Sequence, residues 1–181
     1  MEWFIQGTVL KADRAAAVDQ QFSAMFLGGG IVLSQVTGIP GLEAYTVQNW
    51  VKRGFLSPPE RKHYSLEQLC RIININMLKN VLPMERIVGL LSYINGDLDD
   101  ESDDIIGDSQ LYFMFVRLAA QSRMMNTPQG RDECIAKELA DYREPVPGAK
   151  ERVEKVLTIM LTAWASAQLR LAAEQMLQEL N

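Results

Sequence analysis

Apolar residues along this chain recur mostly at three- and four-residue intervals, the period of helices with one buried face, and Gly, Pro and charged runs punctuate them. From Lys11 to Phe26 the residues Ala15, Val18, Phe22 and Met25 keep that spacing, and Gly28-Gly29-Gly30 breaks it; this predicts an N-terminal helix and a flexible connector. A short helix is expected over Ile31 to Val36, closed by Thr37-Gly38-Ile39-Pro40, with Gly38 suited to a left-handed cap. A second helix begins near Glu43 or Ala44 and runs to Arg53. Its inward stripe is Val47, Trp50 and Val51, which leaves Thr46, Gln48, Asn49, Lys52 and Arg53 outward, and Gly54 ends it. Phe55-Leu56-Ser57-Pro58-Pro59 must be extended, and Arg61 to Tyr64 is expected to pair back on it as a small hairpin, a wing. Ser65, with Gln68 three residues on, opens a helix whose core face is Leu66, Leu69, Ile72, Ile73 and Met77. Pro83 fits the first turn of another, carrying Met84, Ile87, Val88, Leu91 and Ile94, which stops at Asn95-Gly96.

The run Asp97 to Asp104 is too charged to pack and reads as a linker that caps the next helix. Beyond it, helices are expected at about 105 to 125, 131 to 143 and, after Pro145-Val146-Pro147, 148 to 180. The last is apolar on more than one side, which suits a bundle or an interface between two copies. The expected class is therefore all-α. Four parts follow: an N-terminal helix and hinge (1 to 30), a winged helix-turn-helix (31 to 96), the acidic linker (97 to 104), and a helical body (105 to 181) through which the protein would form a homodimer.

Composition adds limits. With 48% hydrophobic and 23% charged residues, the 181-residue chain has the balance of a soluble globular protein. No basic leader precedes an apolar run, and the apolar stretches read as interrupted before bilayer length, so a cytoplasmic protein with no membrane partner is expected. The net charge of -5 is unevenly distributed. Residues 31 to 96 hold seven cations against four anions, while residues 97 to 181 hold nine against sixteen. A basic head on an acidic body suits a duplex-binding protein. Cys70 and Cys134 lie far apart in apolar patterns, which favours buried thiols over a disulfide or thiolate metal site.

Five segments then form a recognisable series: Leu33-Ser34-Gln35-Val36-Thr37-Gly38-Ile39, Thr46-Val47-Gln48-Asn49-Trp50, Gly54-Phe55-Leu56-Ser57-Pro58, His63-Tyr64 and Ser65-Leu66-Glu67-Gln68-Leu69. Together they resemble the DNA-binding head of MerR-type regulators. The resemblance covers roughly a third of the chain and implies double-stranded DNA binding in transcription regulation. Gln48 to Gly54, with Tyr93-Ile94-Asn95-Gly96-Asp97 and the acidic run, is more similar still to a bacterial family known only as a domain of unknown function. Two features depart from the MerR pattern: a long connection from Pro40 to Tyr45, and Gln48 where that family carries Arg.

A helix in the major groove needs side chains that reach base edges, and the amides of Gln48 and Asn49 can bond bidentately to adenine. Lys52, Arg53, Arg61, Lys62, His63, Tyr64 and Arg71 are the expected phosphate contacts, with Tyr45 and Thr46 as hydroxyl donors to the backbone. Plainer readings stand beside these. Gln48 and Asn49 also suit a solvated face, Trp50 suits a core anchor, and Arg71 could pair with Glu67 one turn away. His63, the only histidine, lacks a placeable nucleophile or carboxylate partner. Asp97, Asp99 and Asp103 superficially suggest a calcium loop, yet Ser102 and Asp108 stand where that loop needs Gly and Glu. No cofactor motif or catalytic arrangement emerges, so an enzyme is not expected. The alternative function is a protein-interaction module built on a repurposed helix-turn-helix.

Overall fold

The computed structural model describes residues 3–98, 100–121 and 127–180. It is mostly helical, as expected, with two very small antiparallel sheets. In chain order the elements are β1 (Trp3–Phe4), β2 (Lys11–Ala12), α1 (Val18–Met25), β3 (Ile31–Val32), α2 (Leu33–Gly38), α3 (Ala44–Lys52) and β4 (His63–Tyr64). There follow α4 (Leu66–Leu78), α5 (Met84–Asn95), α6 (Asp108–Ala119), α7 (Pro128–Glu138) and α8 (Ala149–Gln178).

The centre of the molecule is α4 packed along α6. On α4, residues 69 to 75 are all buried, including Arg71 and Asn74, where periodicity predicted a single apolar face. The reason is α6: its run Leu111 to Val116 is buried on every side and covers the flank of α4 that reads as outward in sequence. Each fully buried Ile or Leu in this pair stabilises the fold by roughly 1.5–3 kcal/mol relative to exposure. Phe22 of α1 packs against the rings of Tyr112 and Phe113, at 5.7 and 5.8 Å between centroids. Two further layers are α5 and α7, both against α8.

The N-terminal prediction changes. Lys11 and Ala12 pair with Phe4 and Trp3 in a hairpin, and the α-helix starts only at Val18. The hairpin is tied down where the Tyr112 hydroxyl donates to the Gln6 carbonyl at 2.8 Å, a contact between residues far apart in sequence. Nor is the glycine triplet a free connector throughout. A Cβ on Gly30 would lie 2.6 Å from the Tyr64 carbonyl oxygen, so Gly30 permits the backbone of β3 to approach β4. Gly38 stays helical, and the left-handed residue of the following turn is Gly41.

The hairpin expected within residues 55 to 64 is also rearranged. His63 and Tyr64 pair with Val32 and Ile31 rather than with residues 55 to 59. Pro58 and Pro59 lack the N–H groups that a ladder requires. What remains local is a tight turn in which the His63 amide donates to the Glu60 carbonyl at 2.8 Å.

The acidic run does find partners. The Asp103 carboxylate accepts from the Asp97 amide at 3.1 Å, and the Ile105 amide donates to the Ile94 carbonyl at 2.9 Å, which carries the chain into buried Ile105 and Ile106. Asp99 lies outside the described residues. The helix expected over 105 to 125 begins at Asp108, and α6 ends at Ala119; residues 122–126 are outside the described set. The third body helix departs in the opposite sense from the expectation that no apolar stretch approaches bilayer length. By length and composition alone α8 could cross a membrane, with a mean hydropathy of 1.3 in its most apolar window. Its first half, from Ala149 to Ala163, supplies seven buried residues to the core, whereas Leu169, Met176, Leu177 and Leu180 are exposed.

Candidate nucleic-acid interface

The backbone of α3 is set at both ends. The Thr46 amide donates to the Glu43 carbonyl at 3.0 Å at its start. At its end Gly54 adopts φ +72°, its amide donates to Val51 and the Phe55 amide donates to Trp50, a paired closure that glycine makes without strain. Val47 and Trp50 are buried, so Trp50 is a core residue. The opposite stripe carries Tyr45 (76% exposed), Gln48 and Lys52, all open to solvent, with Thr46 and Asn49 half-buried beside it. Neither amide of Gln48 nor of Asn49 makes a side-chain hydrogen bond among the described contacts, so both can bond outward.

Arg53 is exposed but engaged: its guanidinium lies 4.4 Å from the Phe55 ring centroid and 3.4 Å from a Glu85 carboxylate oxygen. An exposed pair of this kind contributes about 0–1 kcal/mol and opens readily for another anion. Lys79, which the sequence did not single out, places its ammonium 5.8 Å from the Trp50 ring, and burial lowers its pKa. That position depends on where the end of α4 lies relative to Trp50 and leaves no trace in local sequence.

The turn between Pro59 and Tyr64 has the most unusual backbone among the described residues. Arg61 (φ +47°) and Lys62 (φ +68°) are the two non-glycine residues in the left-handed region among the described residues. Together with the Glu60–His63 bond they form a mirror-image tight turn whose two central positions ordinarily hold Asn or Gly. Each left-handed side-chain-bearing residue costs roughly 1–2 kcal/mol, and both side chains here are cationic and exposed. His63 is exposed as well, with Nδ1 3.0 Å from the Arg61 carbonyl oxygen.

The surroundings over-determine this turn. On one side β4 pairs with β3. On the other, the Gln68 side-chain amide donates to the Ser57 carbonyl, the Ser57 hydroxyl and the Pro58 carbonyl at 3.0 to 3.1 Å. The same Gln68 closes the capping box of α4: its carbonyl oxygen accepts from the Ser65 amide at 2.9 Å while the Ser65 hydroxyl accepts from the Gln68 amide at 3.1 Å. The capping box was legible in the sequence; its second task, holding the loop, was not.

Two expected contacts lie elsewhere. Tyr64 is buried in the core, and burial pushes its phenol above the ordinary value. Arg71 is buried too, its Nη1 3.0 Å from Asp108 and its Nε donating to the Phe55 carbonyl at 3.1 Å. Glu67, the alternative partner for Arg71 one turn away, instead accepts from the amide and hydroxyl of Ser109. Tyr45, Thr46, Gln48, Asn49, Lys52, Arg53, Arg61, Lys62 and His63 remain at least partly accessible. Among the described residues, no three His, Cys, Asp or Glu side chains converge for a metal.

Comparison with known proteins follows this region closely. Residues 32–115 match the model of a domain of unknown function, DUF1836. The matched segment opens at the junction of β3 and α2, includes the strained turn, and continues through the acidic run into α6, so both partners of the Arg71–Asp108 pair fall inside it. The chain is also similar to an uncharacterized protein, YkrK, of Bacillus subtilis (strain 168), at 30% identity over 86 residues. That similarity takes in 45% of this chain and 37% of YkrK, so the chain aligns with well under half of that relative. No solved structure matches.

Proposed function

We propose that the segment from α2 to α4 is a MerR-like winged helix-turn-helix that binds double-stranded DNA, and that the protein is a cytoplasmic transcriptional regulator. The observation that carries this reading is the turn at Arg61 and Lys62. Two adjacent cations are held out to solvent in a backbone conformation that costs stability, and strain of that kind persists where the position serves a task. Phosphate neutralisation is such a task. The exposed stripe of α3 complements it, since Gln48 and Asn49 carry the donor and acceptor pair that matches adenine, and Tyr45, Thr46, Lys52 and Arg53 surround them with hydroxyl and cationic donors. In this assignment Tyr64 and Arg71 support the interface from beneath without touching DNA.

The regulator acts as a homodimer in this reading, joined along the far half of α8. Leu169, Ala173 and Met176 on α8 are exposed and follow one another at steps of four and three residues, the spacing of a two-helix seam, and exposed Leu180 follows just beyond the helix end. Leu169→Glu with Met176→Glu is expected to convert a dimer to a monomer in sedimentation. Selection of bound duplexes from a random pool tests the DNA reading and reports half-site spacing together. Enrichment of a paired site, lost in Gln48→Ala, is the expected result; no enrichment of any duplex would refute it and direct attention to a protein partner for the same surface.

A further inference from the structure

Between α5 and the first half of α8 runs an open groove of about 790 Å³, walled by Leu82, Leu90, Tyr93, Val156 and Ile159, with Gly89 among them. Tyr93 and Ile159 are each 43% exposed there. Gly89 stands in the interior of α5, where glycine is less favourable than alanine, and a Cβ at that position would meet open space. The packing of the chain itself gives no reason for a glycine here; the close approach of another backbone does.

The far half of α8 is the complement of this groove. From residue 165 to 178 none of its residues is buried, although Leu169, Ala173, Met176 and Leu177 lie within it. A helical stretch of that length, about 21 Å, is marginal in water without a partner for its apolar face. Ile159, Thr162, Ser166, Leu169, Ala173 and Met176 are all exposed and alternate at steps of three and four residues, so one stripe runs unbroken from the groove to the end of the helix. The stripe is symmetric about the point between Ala167 and Gln168: turned end for end, Met176 falls on Ile159, Ala173 on Thr162 and Leu169 on Ser166. The Thr162 hydroxyl is satisfied within its own chain, donating to the Thr158 carbonyl at 2.7 Å and accepting from Arg131 at 3.1 Å, so it demands no polar partner across such a seam. Charge agrees with the match. Arg86 and Lys155 outnumber Glu85 at the groove, whereas Glu174 and Glu179 outnumber Arg170 on the far half of α8 and its end.

We infer that two copies of this chain pair antiparallel along α8, each laying Met176 and Leu177 in the groove between α5 and α8 of the other. A two-fold axis then crosses α8 between Ala167 and Gln168. A parallel pair joined at the far halves would carry both tails away from both grooves and leave Tyr93 and Ile159 uncovered. Antiparallel pairing lengthens the seam to residues 155 to 178, about 36 Å, and gives Gly89 the close neighbour that its own chain lacks. The inference rests on the homodimer reading and adds its direction and its second surface.

Cysteine replacement at Ile159 and Met176 tests the direction, since Cys70 and Cys134 are buried. Within one α8 the two positions lie about 25 Å apart, far beyond the roughly 7 Å between Cα atoms that a disulfide spans. Under mild oxidation the full-length double variant Ile159→Cys with Met176→Cys is expected to become a covalent dimer, and each single variant to stay uncross-linked. Cross-linking of Met176→Cys alone, or none in the double variant while the wild-type chain sediments as a dimer, would overturn the inference and leave the homodimer standing. Gly89→Glu has open space for its side chain and is expected to keep its helix content while weakening dimerisation at least about tenfold, because it places a charge in the covered groove. Unchanged dimerisation of Gly89→Glu would also overturn the inference. A wild-type chain that sediments as a monomer would overturn both this pairing and the homodimer, and assign the groove to a different protein.

Discussion

Arg71 of α4 donates to the Asp108 carboxylate of α6 at 3.0 Å, with both side chains almost wholly out of water. The pair joins the two central helices of the fold, and it explains why a cation occupies a position of α4 that reads as outward in sequence. Its net contribution is small, because two charges were taken out of water to make it. Its removal by halves is costly, because the partner left behind is buried and uncompensated.

Asp108→Ala and Arg71→Met are therefore each expected to lower the unfolding free energy by about 3–5 kcal/mol, whereas the double variant Arg71→Met with Asp108→Leu should recover most of that loss. Urea denaturation of the three variants measures it. Additive losses in the double variant would show that the two residues are not coupled.

The same carboxyl sets a pH dependence. Burial is the largest influence on Asp108 and outweighs the neighbouring Arg71, so its pKa is raised from the ordinary 3.8. A carboxyl whose pKa is higher in the folded chain holds its proton more tightly there. Its contribution to stability is full below the ordinary carboxyl value and is lost as pH rises through the folded one. Relative to Asp108→Asn, the wild-type protein should thus lose stability as pH is raised from below 3.8, and denaturation midpoints of the two proteins across that range report it.

Replacing the strained residues separates stability from binding. Arg61→Gly and Lys62→Gly each relieve a left-handed side-chain-bearing position and are expected to raise stability by about 1 kcal/mol. Each also removes an exposed cation, so duplex affinity should fall for all sequences alike and the salt dependence of binding should flatten by about 0.9 per lost phosphate contact. Thermal unfolding and binding titrations at several salt concentrations read the two effects. A rise in stability with unaltered binding would place the DNA contact elsewhere.

Ser65→Ala opens the capping box of α4 and is expected to cost about 1 kcal/mol. Gln68→Ala removes the same box and also the three bonds to Ser57 and Pro58, so its loss should be the larger of the two in chemical denaturation.

Much of the helical part of this protein was legible one residue at a time. The limits of α3 follow from Gly54 and an inward stripe at Val47 and Trp50, and the start of α4 follows from the Ser65 and Gln68 pairing, because caps and periodicity act within a single turn of chain. The exposed candidates on α3 and the cations at 61 and 62 came from the same local logic. Where packing between distant segments decides, the linear pattern was insufficient. Whether Arg71 faces solvent or Asp108 depends on α6 lying across α4, and whether His63 and Tyr64 pair with residues 55 to 59 or with Ile31 and Val32 depends on a close approach at Gly30. Side-chain period and capping are properties of neighbours along the chain; burial, ion pairing and strand partnership are properties of neighbours in space, which a sequence of 181 residues does not order by itself.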